Sequence, residues 1–282
     1  MKIIECPRDA MQGLHDFIPT EVKTRYLSQL LKVGFHTIDF GSFVSPKAIP
    51  QMRDTAAVLQ SLDLTDTTSK LLAIVANLRG AQHAANWQTI DYLGFPLSLS
   101  ETFQQRNTNR SIAEALQILA AIHEVCQKHN MKLVTYLSMG FGNPYGDPYD
   151  RETVLAFVEQ LVNMEIEIIS LADTIGISNR ENITYLFETL VPAFPEVEFG
   201  AHLHSHPREA REKLHAAYLA GCRRFDGALR GYGGCPMAED DLVGNMATEL
   251  IIRHLIDQGE ELELDQQALK EALNMVSGVF PA

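Results

Sequence analysis

The 282-residue sequence is poor in cysteine, short of positive charge and free of long apolar runs, and each shortage excludes something. Its four cysteines, Cys6, Cys126, Cys222 and Cys235, are widely scattered and form no CxxC pair. A chain of this size needs no covalent staples, so they read as reduced thiols in a reducing compartment. Lys and Arg total 23 against 36 Asp and Glu, a formal net charge of −13. Such a surface repels polyanions, which argues against nucleic acid and anionic membranes as partners. A small anionic substrate held by a local cluster stays compatible with it. No apolar stretch reaches the ~18 residues of a membrane span, and the N-terminal MKIIECPRD enters a strand-like run with no signal peptide. A cytoplasmic protein is expected. There is no GxGxxG after the first strand, against a dinucleotide fold, and no linker or charge block divides the chain.

What is present is alternation. With 46% apolar residues, the chain can build a large core. Eight β-like runs occur at 2–6, 36–40, 71–76, 89–95, 132–137, 167–171, 197–202 and 222–228. Amphipathic stretches lie between them, the clearest being SIAEALQILAAIHEVCQK from Ser111, with Glu114 completing a capping box. Helices are also expected over 19–32, 150–164, 208–220, around 248–258 and around 265–276. Alternating strand and helix implies a parallel sheet, and eight units predict an α/β fold closed as a (β/α)8 TIM barrel. One catalytic domain over 1–282 is expected, with about 238–282 as a C-terminal helical extension. In this fold chemistry sits at the C-terminal ends of the strands.

Those ends carry candidates. Arg8 and Asp9 follow strand one. They are either a plain ion pair or a cation clamp beside a hard-oxygen metal ligand. Asp39 near the end of strand two could be a base, an orienting residue or a cap. In GAHLHSHPREA, strand alternation puts His202 and His204 on one face and Leu203 on the other. His206, before Pro207, falls in the loop. After strand eight, Gly231, Gly233 and Gly234 form a flexible loop with Cys235 at its tip, an incidental thiol or a proton donor. Asn245 is either a helix N-cap or a neutral oxygen ligand. Asp, two His and Asn make a mixed N/O set, suited to Mg²⁺ or Mn²⁺ more than to a cysteine-rich zinc site. Asp173, in SLADTIG, could be only a cap.

The motifs PRDAMQ, SFVSPKAIPQM, SETFQQRNTNRSIAEAL, SLADTIG, HLH and GGCP…GNMATE occur in an order that resembles the 3-hydroxy-3-methylglutaryl-CoA lyases, from Ile4 to about Ile252. The resemblance implies a divalent cation (Mg²⁺ or Mn²⁺) on Asp9, His202, His204 and Asn245. It implies catalytic roles for Arg8, Asp9, Asp39, His202 and Cys235, with Arg8 stabilising an enolate and Cys235 protonating the carbanion. Substrate contacts would come from Arg8, Gln12, Ser42, Ser138, Asp173 and Thr174. The implied reaction cleaves a 3-hydroxyacyl-CoA to acetyl-CoA and acetoacetate, in a homo-oligomer, a dimer. The sequence departs from the family in five places: Asp39 stands for glutamate, Ala10 for glycine, Gly13-Leu14-His15 replaces the basic residue expected shortly after the first motif, Ser205-His206-Pro207-Arg208 follows HLH, and the Cys235-to-Asn245 spacing is one residue longer. Two further readings fit the same residues. One is a metal-dependent aldolase or acyl-transferring enzyme on a 2-oxo acid, and the other a non-catalytic barrel that binds metal or thioester.

Overall fold

A computed structural model of the chain describes residues 1–234 and 243–280. Eight parallel strands close into a barrel: β1 (Lys2–Glu5), β2 (Thr37–Ser42), β3 (Lys70–Ile74), β4 (Tyr92–Ser98), β5 (Lys132–Ser138), β6 (Ile168–Asp173), β7 (Glu198–Ser205) and β8 (Arg224–Gly227). Each pairs with its successor and β8 returns to β1, so the (β/α)8 barrel is as the alternation predicts.

The helices are α1 (Pro7–Gln12), α2 (Thr20–Val33), α3 (Thr55–Gln60), α4 (Leu78–Ala84), α5 (Glu101–Thr108), α6 (Ile112–Lys128), α7 (Arg151–Asn163), α8 (Arg180–Ala193), α9 (Pro207–Leu219), α10 (Thr248–Asp257) and α11 (Gln266–Val279). Their starts are chemically specified. The Ser111 hydroxyl accepts the Glu114 N–H while the Glu114 carboxylate accepts the Ser111 N–H, the capping box read from the sequence. The Asp150 and Asp265 carboxylates cap α7 and α11 by accepting the Thr153 and Ala268 N–H groups. The main core lies between the strands and this helix layer and includes Leu203. A small apolar group, Leu72, Ile74, Val134, Tyr136 and Ile168, fills part of the barrel interior.

Three deviations from the sequence reading bear on the site. First, β7 runs on to Ser205, past the 197–202 read from the sequence: it pairs with β8 as far as His202, with β6 as far as Leu203, and with a later short strand at His204 and Ser205. Second, β2 shifts register between Asp39 and Gly41, an irregularity of the kind that re-aims a side chain. Third, a ninth, two-residue strand, β9 (Gly244–Asn245), runs antiparallel to β7 and pairs Asn245 with His204. Among the described residues no helix is long and apolar enough to cross a membrane.

Candidate metal and catalytic centre

Asp9, His202 and His204 converge at the C-terminal mouth, with ligand atoms all within 4.8 Å of one another. Asp9 gets there because α1 starts directly after β1, with Pro7 in its first turn. His202 and His204 get there by the two-residue period of β7. Each imidazole has its Nδ1 engaged from behind: His202 by the Asp226 carboxylate at 3.1 Å, His204 by the Thr174 carbonyl at 3.1 Å. That fixes the tautomer with Nε2 bare, the arrangement found behind metal-ligating histidines. Nε2 of His204 is buried without any hydrogen-bond partner and lies 3.9 Å from Asp9 Oδ2. Two donors each about 2.1 Å from a shared ion can be up to about 4.2 Å apart, so these atoms suit one divalent ion.

Asn245 joins the cluster through β9. Its amide donates to Asp9 Oδ2 at 2.8 Å and to the Tyr232 carbonyl at 3.0 Å. It does not cap α10, whose N-cap position is Ala247. Gly233 makes this approach feasible: it has φ +96°, and a Cβ there would stand 2.7 Å from Asn245 Nδ2 and 2.8 Å from Ala10 Cα.

Four of the five N–H groups of Arg8 are committed to acceptors. Its Nε and Nη2 grip the Asp39 carboxylate, while Nη1 donates to Asp9 at 2.9 Å and to Gln12 at 2.8 Å. Gln12 in turn donates to Asp9 at 3.0 Å. Burial alone would raise the Asp9 carboxyl, but Arg8, the two imidazoles and the Asn245 amide outweigh it and hold the group at about 2. Asp9 is therefore an anion at any working pH. Burial pushes the Asp39 carboxyl up to about 6 against the pull of Arg8. At His202 the Asp226 carboxylate overcomes burial and raises proton affinity, whereas at His204 burial and the neighbouring His202 lower it.

The remaining sequence candidates are placed less directly. Ser138 ends β5, buried, on the same side as inward-facing Tyr136. Ser42 donates to the Ile74 carbonyl and lines a groove of about 620 Å³ beside the mouth, with Ser45, Arg53, Asn77 and Arg79. The Asp173 carboxylate does not reach the cluster. It accepts the Ile177 and Ser178 N–H groups and pairs with buried Lys213 at 3.2 Å. Thr174 contributes through its carbonyl on His204, and its hydroxyl accepts the Met139 N–H. His206 caps α9, accepting the Arg208 N–H. Cys235 lies outside the described residues. Sequence reading missed Asp226; the available signal was a lone carboxylate in the strand-like run CRRFDGA.

The HMGL-like family profile matches residues 2–276. The chain belongs to the HMGL-like family. Hydroxymethylglutaryl-CoA lyase YngG of Bacillus subtilis is 35% identical over 252 residues, covering 89% of this chain and 83% of that protein. The 3-hydroxy-3-isohexenylglutaryl-CoA/hydroxymethylglutaryl-CoA lyase of Pseudomonas aeruginosa is 30% identical over 97% of this chain and 90% of its own length. Among solved structures, an HMG-CoA lyase from Acinetobacter baumannii in complex with coenzyme A and 3-methylmalate superposes with a TM-score of 0.91 at 30% identity, covering 99% and 90% of the two chains. Membership identifies this HMGL-like barrel as a carbon–carbon lyase.

Proposed function

We propose that the protein is a divalent-metal-dependent lyase that cleaves 3-hydroxy-3-methylglutaryl-CoA, or a closely related 3-hydroxyacyl-CoA, to acetyl-CoA and acetoacetate. One observation carries this: two imidazoles with bare Nε2 atoms beside an ionised carboxylate, next to a fixed guanidinium, in a chain of this family. The metal would be held by Asp9, His202, His204 and the amide oxygen of Asn245. Mg²⁺ and Mn²⁺ both suit this N/O set. Such an ion supplies chelation of the substrate's hydroxyl and carboxylate oxygens and makes the hydroxyl more acidic.

The chain's own groups do the rest. The substrate's 3-hydroxyl gives its proton to bulk water at the barrel mouth, C3 becomes the ketone of acetoacetate as the C2–C3 bond breaks, and that bond's electron pair passes to the thioester as an enolate. Arg8 is the donor for that developing oxyanion. Asp39 and Gln12 hold its plane in place, so no reorganisation is needed as charge appears. Asp39 thus acts as an orienting residue rather than a base. The carbanion then takes a proton, for which the resemblance supplies Cys235 on the glycine loop. The groove beside the mouth suits the coenzyme A arm, with Arg53 and Arg79 for its phosphates and Ser42 and Ser138 nearer the acyl group. Asp173 and Thr174 serve substrate binding by setting the loop that holds His204. We take residues 1–282 to be one catalytic domain, cytoplasmic and dimeric.

The test is release of acetoacetate and acetyl-CoA from hydroxymethylglutaryl-CoA with Mg²⁺ or Mn²⁺ and a thiol reductant. Cleavage of another 3-hydroxyacyl-CoA but not this one would move the substrate and keep the reaction. No cleavage of either by metal-loaded protein would overturn the reading. Cys235→Ala should bind metal and lose turnover.

A further inference from the structure

The barrel interior beneath the Asp9 cluster contains charge that the proposed reaction leaves unused. Asp226 of β8 is the register partner of His202 of β7, so the two side chains enter the barrel side by side. Asp226 Oδ2 lies 3.1 Å from His202 Nδ1, and the carboxylate is fully shielded from solvent. The ring of Tyr136 meets the imidazole edge-on at 5.5 Å, so His202 is fixed on two sides. Two residues before Asp226, the buried Arg224 donates Nη1 to Glu198 at 3.0 Å. Its Nε and Nη2, like Asp226 Oδ1, have no protein partner. A buried carboxylate and a half-satisfied guanidinium in one barrel are expensive for folding alone. Their placement makes sense through what Asp226 does to His202.

We propose that Asp226 is a positioning residue for the metal centre: it selects the His202 tautomer that bares Nε2, orients the ring, and strengthens that nitrogen as a donor, with Arg224 as the counter-charge. The idea rests on reading Asp9, His202, His204 and Asn245 as the metal set. The two imidazoles are then unequal. His204 leans on a neutral peptide carbonyl, whereas His202 leans on an anion.

A rival assignment exists on the same atoms. Cys6, His202 and Asp226 also bring ligand atoms within 4.8 Å of one another and would form a separate, softer metal site. The geometry favours positioning. One ring nitrogen cannot both donate to Asp226 and bind an ion. The Cys6 thiol points to the Ile4 carbonyl at 3.7 Å, and burial among carboxylates pushes it well away from the thiolate that a soft ion needs.

The experiment titrates Mn²⁺ into chelator-stripped protein, reading free Mn²⁺ by electron paramagnetic resonance, alongside the melting temperature of each metal-free form. Asp226→Asn keeps shape and an acceptor for Nδ1–H but removes the charge, and should weaken Mn²⁺ binding about tenfold. Asp226→Ala should weaken it between about ten- and a hundredfold. Cys6→Ser should bind as the wild type does. If Asp226→Ala does not fold, the isosteric Asp226→Asn carries the test. A folded Asp226→Asn with wild-type Mn²⁺ affinity overturns the proposal, even if its melting temperature drops, because a purely structural carboxylate would do that. Loss of Mn²⁺ in Cys6→Ser equal to that in Asp226→Asn overturns it in favour of the Cys6 set. A wild-type protein that binds no Mn²⁺ fails earlier, at the metal reading itself.

Discussion

Glu5 provides the sharpest test of the barrel's electrostatics. It ends β1, fully buried, with Oε1 accepting the Leu229 N–H at 2.9 Å and Oε2 accepting the Thr248 hydroxyl at the start of α10. Burial pushes its carboxyl up to about 8 from 4.5, despite both hydrogen bonds, so the folded protein prefers it neutral. The direction follows from linkage. Below pH 4.5 both folded and unfolded chains carry the proton, and the folded state is at no disadvantage. Between 4.5 and 8 the unfolded chain ionises and the folded chain does not, so stability falls with rising pH, then levels off above 8. A gap of about 3.5 units at roughly 1.4 kcal/mol each sets an upper limit of about 5 kcal/mol, of which about 3 is felt at pH 7. Glu5→Gln is neutral throughout and keeps a carbonyl for Leu229, while the Thr248 hydroxyl can turn to accept from the new amide. Other groups titrate in this window, so the informative quantity is the difference between variant and wild type. Urea denaturation at pH 5, 6, 7 and 8 should give Glu5→Gln a relative stability that grows with pH by one to several kcal/mol in total. A difference that stays constant from pH 5 to pH 8 would refute the claim that a neutral carboxyl is built into this strand end.

Three further predictions concern the mouth. Arg8→Lys replaces a planar fork that serves Asp39, Asp9 and Gln12 with one point charge; turnover should fall by a factor of about 10²–10³ while Mn²⁺ binding is retained, measured by steady-state kinetics and metal titration. Gly233→Ala puts a methyl 2.7 Å from Asn245 Nδ2 at a positive φ, so it should displace Asn245 from Asp9 and weaken Mn²⁺ binding with little change in far-UV circular dichroism. Mn²⁺ at about 100 times its Kd should stabilise the wild type by about 2.7 kcal/mol against urea, and His204→Ala should abolish that gain; an equal gain in His204→Ala would place the ion elsewhere.

The fold was readable because its signals are local and repeated. Alternation of short apolar runs with capped amphipathic segments recurs eight times, and Ser111–Glu114 or Asp150 mark helix starts within a few residues. The strand period also sorted His202 and His204 from Leu203, and these histidines do converge with Asp9. What could not be read was anything that depends on a contact between distant elements. No propensity distinguishes Gly244-Asn245 from a loop, since two residues become a strand only by pairing with β7. Asp173 sits in a family motif, yet its oxygens are taken by Ile177, Ser178 and Lys213, 40 residues away in the last of these cases. Which acceptor stands behind each histidine is likewise set by neighbouring strands, through register rather than sequence spacing.

That distinction bears on where the chemistry is tuned. The atoms facing the mouth, on Asp9, His202 and His204, could be inherited by any enzyme of this fold that needs an N/O metal set. Their backing is more particular. Thr174 reaches His204 because the β6 end loop is tied down by Lys213, whose ammonium also bonds the Gly176 carbonyl at 2.8 Å. Asp226 reaches His202 because β7 and β8 run in register. Asp39 reaches Arg8 where β2 shifts its pairing. Aspartate is one methylene shorter than glutamate, and the structure meets that shorter reach with a carboxylate gripped by both Nε and Nη2 of Arg8. The same guanidinium keeps its Nη1 on Asp9 and Gln12. An Asp39→Glu variant would push the fork outward by about one carbon–carbon bond and disturb both contacts at once. The shorter acid and the present Arg8 position thus belong together, and the placement of this guanidinium is set by a strand irregularity as much as by the arginine itself.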